Sequence, residues 1–182
     1  QKGLTKSALA STEIARDLLR KFDHFWLRGR LAIISYFVAM IQSDYATALH
    51  WNSEALECAR ISGSREIKVP ALANRALLKL TQNEFQAAKS ALDELDRETC
   101  DGESSVTQVG IRDIEMQLAI SSGRFDEAEA IDGRITSLLS QVEIRDNYYE
   151  LWHTVNRVRF LYLTGRPNDG LAIALESLPK IT

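Results

Sequence analysis

The sequence predicts an all-α fold, an α–α superhelix or solenoid of about four and a half helical hairpins and about nine helices. Three observations carry that prediction. A short turn recurs at a near-constant period: Ser43-Asp44-Tyr45, Asn83-Glu84-Phe85, Gly123-Arg124-Phe125 and Gly165-Arg166-Pro167, with third positions spaced 40, 40 and 42 residues apart. A small residue stands three places after each third position, at Ala48, Ala88, Ala128 and Gly170. No stretch alternates apolar and polar residues long enough for a sheet, whereas Phe85, Ala88, Leu92 and Leu95 recur at helical spacing. A turn repeated at fixed period, between segments of one helical type, is the mark of stacked supersecondary units.

Each turn reads as a helix stop followed by a helix start. Glycine and asparagine tolerate the left-handed backbone that ends a helix. Asp44 is a good N-cap, and Pro167 suits a first helical residue because no donor is lost there. The small residue that follows lets two helices approach closely. The predicted helices preceding the turns are Arg30 to Gln42, Ile67 to Gln82, Val106 to Ser122 and Arg145 to Thr164. Those following are Asp44 to Ile61, Glu84 to Arg97, Phe125 to Gln141 and Asn168 to Leu178. Stepping back one period places Gly3, Ala8 and Ala15 in phase, so a helix of about Thr5 to Lys21 forms the second half of an earlier unit. The implied organisation is one solenoid segment over 1–182: a half repeat at 1–22, then repeats at about 23–62, 63–102, 103–142 and 143–182. Gly63 and the Cys100-Asp101-Gly102 corner separate repeats. Pro70 must lie in a first turn or kink a longer helix. Gly133 within a helix costs roughly 1 kcal/mol relative to alanine. Leu171, Ile173, Leu175 and Leu178 spread apolar residues around the last helix, whereas solenoid ends carry a polar face; the chain therefore reads as a piece of a longer array.

Composition narrows the function. A net charge of −3 gives no general attraction to nucleic acid or to an anionic membrane. The longest largely apolar stretch, Leu31 to Ile41, falls well short of the roughly 20 residues a membrane span needs. Cys58 and Cys100 are isolated thiols without a CxxC, which fits a reducing compartment and makes cytoplasm the expected location.

The turn residues resemble those of tetratricopeptide repeats, helical hairpins with Gly-Asp-Tyr at the turn, alanine three residues on and Ala-Leu seven beyond. Asp44, Tyr45, Ala48, Ala55 and Leu56 match best; Gly123, Phe125 and Ala128 follow, with Ile135 in place of the later alanine. Tyr36, Met116 and Val158 stand where the family has a small residue, and Ala76 matches. The period of about 40 exceeds the family's usual 34 or so, and resembles the long-helix variant in bacterial regulatory arrays of signalling ATPases and transcription activators. HEAT-type repeats share the period but lack this turn.

Catalytic and cofactor motifs are not evident. His24, His50 and His153 fall in separate helices without HExxH or CxxC, and His50 with Glu54 gives only two potential ligands. Cys58 reads as a small core residue. Asp126, Glu127 and Glu129 sit near a helix start, where acids favour the macrodipole. Neither GxxxxGK[ST] nor GxGxxG occurs, and Arg28-Gly29-Arg30 and Arg157-Val158-Arg159 read as solvated clusters. No metal or cofactor is expected, and the chain is expected not to be an enzyme.

In repeats of the resembled kind, the first helix of each hairpin lines the concave face. Counted from the turns, that face is implied to include Ile33, Phe37 and Met40, then Asn74 and Leu77, Asp113 and Gln117, and Trp152, Asn156 and Arg159. Asn74 and Asn156 fall where the family uses asparagine to hold a partner's backbone, and Trp and Arg are frequent interface anchors. The expected function is a non-catalytic scaffold binding a peptide or protein partner there, as the regulatory segment of a larger bacterial signalling or transcription-regulator protein. A small-molecule-sensing domain and a self-assembly module, with homo-oligomers joined through the end helices, are the alternatives.

Overall fold

A computed structural model describes residues 2–19, 24–99, 104–141 and 147–177. All of its regular structure among these residues is α-helical: α1 (Lys2–Leu19), α2 (Phe25–Ile41), α3 (Tyr45–Ser62), α4 (Arg65–Thr81), α5 (Phe85–Glu98), α6 (Ser105–Ser121), α7 (Phe125–Ser140), α8 (Asn147–Leu163) and α9 (Pro167–Ser177). The chain divides into two compact units, 1–99 with α1 to α5 and 100–182 with α6 to α9. Consecutive helices pair as hairpins: α2 with α3 and α4 with α5 in the first unit, α6 with α7 and α8 with α9 in the second. Within the first unit α1 also packs on α2, and α3 on α4. The Cys100 corner, Lys21 and Leu178 lie outside the described residues.

The four hairpin turns share one backbone. Ser43, Asn83, Gly123 and Gly165 have φ of 58°, 60°, 70° and 78°, the left-handed conformation their sequence position implies. The next amide reaches back five residues in every case: Asp44 to the Ala39 carbonyl, Glu84 to Lys79, Arg124 to Ala119 and Arg166 to Leu161, at 3.0, 2.9, 2.9 and 2.8 Å. Each such bond occupies a carbonyl that the last helical turn would leave unpaired. The Asp44 carboxylate then caps α3, accepting from the Thr47 amide at 3.0 Å and its hydroxyl at 2.7 Å. The amide bond holds that carboxyl below the ordinary Asp range, with the hydroxyl adding to it. Glu84 and Arg124 make no side-chain cap. Arg124 binds Glu127 instead, at 2.5 Å.

Behind the turns, Ala48, Ala88 and Ala128 are wholly buried, and Gly170 is buried against α8. A Cβ built on Gly170 would lie 3.4 Å from the Val158 carbonyl oxygen. The small residue is thus where the two helices of a hairpin meet. Phe125 packs on Phe160 with ring centroids 6.4 Å apart, wedging the third turn against α8. Ile67, Leu72, Leu78 and Leu95 fill the first unit's core and Met116 and Ile135 the second's. Each such side chain contributes about 1.5–3 kcal/mol by leaving water.

Two helices differ from expectation. α2 begins at Phe25, five residues before the predicted start, and so carries Gly29 inside it. A Cβ on Gly29 would sit 2.6 Å from Ile67 Cδ1 and 3.1 Å from Cys58 Cβ, so α2 crosses α3 and α4 closely enough that any larger residue would force Ile67 to shift. Pro70 is the sixth residue of α4, past the first turn, and the Glu66 carbonyl loses its usual i+4 donor there. Among the described residues, no helix is long and apolar enough to cross a membrane.

Candidate functional site

One side of α2 is apolar and faces solvent. Trp26, Arg30, Ile34, Phe37 and Ile41 follow one another at steps of four, four, three and four, which places them along one helix face. Trp26 and Phe37 are 38% exposed, Ile34 52% and Ile41 74%. The opposite side, with Gly29, Ala32, Ile33, Tyr36 and Ala39, is buried. The expected face therefore shifts at two places. Ile33 belongs to the core with Ala55, Ala59 and Ala71, and Met40 packs beside Tyr36 and Leu78; Ile34 and Ile41 take their places outside.

The exposed stripe is held in position. The Tyr36 hydroxyl donates to the Asn74 carbonyl of α4 at 2.8 Å, fixing a ring that meets Phe37 edge-on at 5.4 Å. Trp26 Nε1 donates to Glu66 of α4 at 3.2 Å, and the Arg30 guanidinium lies 5.9 Å from the indole centroid. On α4, half-buried Pro70 and Leu77 occupy the places one period after Arg30 and Phe37.

In the second unit the expected residues converge on a buried polar cluster. Asp113 of α6 and His153 of α8 are 2% and 4% exposed. His153 Nδ1 lies 3.4 Å from Asp113 Oδ1, and its Nε2 lies 3.2 Å from Oδ1 of Asp132 on α7. These are ionic contacts outside hydrogen-bond alignment. The second Asp113 oxygen accepts from Asn156 Nδ2 at 2.7 Å and from Gln117 Nε2 at 3.3 Å, while Arg157 Nε faces Asp132 at 3.2 Å. Burial alone disfavours the charged imidazole, but the close polar and ionic contacts with both aspartates outweigh it and raise the His153 pKa above its ordinary value. A protonated His153 thus ties α8 to α6 and α7.

The expected residues are distributed unevenly. Asn74, Asp113 and Asn156 are buried, Leu77 and Gln117 half-buried, and Trp152 and Arg159 exposed. Asn156 directs its amide to Asp113, and the Asn74 amide nitrogen is enclosed without a hydrogen bond. Trp152, Val155, Arg159 and Tyr162 form an exposed strip on α8 at steps of three, four and three. The Asp113–His153 pairing was missed from sequence, although the two lie one 40-residue period apart. Among the described residues no group of three His, Cys, Asp or Glu side chains is arranged to hold a metal, and Glu54 pairs with Arg28 at 2.5 Å. No family model matches this chain, and no curated protein or solved structure matches it.

Proposed function

We propose that this chain is a non-catalytic interaction scaffold of tetratricopeptide-like repeats. It binds a peptide or protein partner on the first helices of its hairpins, and is the regulatory segment of a larger bacterial signalling or transcription-regulating protein. The observation that carries the reading is the α2 stripe, in which Ile34, Phe37 and Ile41 stay exposed on a helix whose opposite side is buried in the core. Aligned exposed apolar residues braced from beneath are the ordinary make-up of a recognition face. The repeated left-handed turns support the repeat assignment, and the buried, unpaired Cys58 suits a reducing cytoplasm.

A photo-crosslinker at Ile34 tests the partner face, with Ile34→Ser and Ile41→Ser combined as the disabling variant. The crosslink is expected to join one partner segment and to vanish in the double variant, whose helical circular dichroism is unchanged. A crosslink pattern identical in both proteins overturns the assignment. Self-assembly is a second reading, favoured by Leu171 and Leu175 of α9 at 58% and 56% exposure. A sedimentation coefficient that stays at the monomer value at all concentrations excludes it.

A further inference from the structure

A cleft opens between α1 and the α2–α3 hairpin, away from the α2 stripe. It has two parts, of about 310 and 380 Å³, which share Arg16, His50 and Trp51. Volumes of this size match pockets that hold small organic ligands, about 300–1,000 Å³. Its charges are unequal in availability. Glu54 on the wall is neutralised by Arg28 at 2.5 Å. Arg16 is different: its Nε is enclosed without a hydrogen bond and lies 4.0 Å from an Asp17 carboxylate oxygen, at the outer limit of an ion pair. Glu13 lines the part of about 380 Å³ and is exposed. Half-buried Trp51 lies between the two parts, with the His50 ring 5.1 Å from its own at 59°.

From this arrangement we infer that the cleft is a binding site for a small aromatic carboxylate, with its carboxylate on Arg16 and its ring against Trp51. A guanidinium has a planar fork of donors that matches a carboxylate, and an indole face takes a second ring in offset or edge-on contact. A polyphosphate does not fit the described lining, in which Arg16 stands beside an acidic wall and Arg28 is already paired with Glu54, too little positive charge to balance several negative ones. A simple amine does not fit either, since the wall carboxylate already has its cation. The inference is independent of the partner face, which lies on another side of α2.

Phenylacetate and its uncharged counterpart phenylacetamide are the probes, followed by calorimetric titration of the full chain. Phenylacetate is expected to saturate with a dissociation constant below roughly 10 mM, and the amide to bind at least about tenfold more weakly. Arg16→Gln, at a partly exposed position, is expected to abolish that preference with the circular dichroism unchanged. Trp51→Phe retains a ring and the acid preference, whereas Trp51→Leu weakens both probes alike. Equal binding of acid and amide, an acid preference that survives Arg16→Gln, or no saturation by either probe overturns the assignment.

Discussion

The chemistry of the His153 imidazole is set by its surroundings. Its folded pKa is raised, so the stability it contributes is present in full below the unfolded value of about 6.5 and is lost as pH rises through the folded value. The stability of the second unit against urea is therefore expected to fall as pH climbs above about 6.5, while His153→Gln removes that dependence. The facing groups are Asp113 and Asp132, with Arg157 on the far oxygen of Asp132. Asn156→Ala leaves Asp113 one donor short and is expected to cost about 1–3 kcal/mol by urea titration. Ser43 and Asn83 hold a left-handed backbone with a Cβ, which costs roughly 1–2 kcal/mol per residue for ordinary side chains. Ser43→Gly is expected to raise the melting temperature of the first unit.

At the scale of the helix, glycine has opposite meanings at two positions. Gly133 faces open space on α7, so Gly133→Ala is expected to stabilise the second unit by about 1 kcal/mol in thermal unfolding. Gly29 lies against Ile67 and Cys58, so Gly29→Ala overpacks the crossing at a cost of about 1–3 kcal/mol, less the roughly 1 kcal/mol gained in helix propensity. Ile67→Ala in the same chain relieves the clash, and a double-mutant cycle should show that coupling. The same contrast explains what the sequence revealed. The turns were legible because left-handed residues, caps and small residues act within a few positions of one another. The start of α2 was not, because Gly29 lowers local propensity while its justification, contact with Ile67, lies 38 residues away. On the outer face of α2 Phe37 stands where expected, but Ile33 and Met40 are each one step off, since the run Leu31 to Ile41 is apolar nearly all round and offers no polar side to fix the phase.

Across the whole chain, the repeat period carried more information about architecture than about chemistry. It placed Asp113, Asn156 and Asn74 on first helices, but whether such a residue points to solvent or to a neighbouring helix depends on packing, and all three are buried. His153, Asp113 and Asp132 became partners only through the joining of three helices. That buried imidazole also makes unfolding a proton-releasing reaction near neutral pH: the folded chain retains a proton that the unfolded chain gives up to the buffer. The heat of unfolding should therefore include the buffer's own ionisation enthalpy and differ between phosphate and Tris at the same pH, a difference that His153→Gln should diminish.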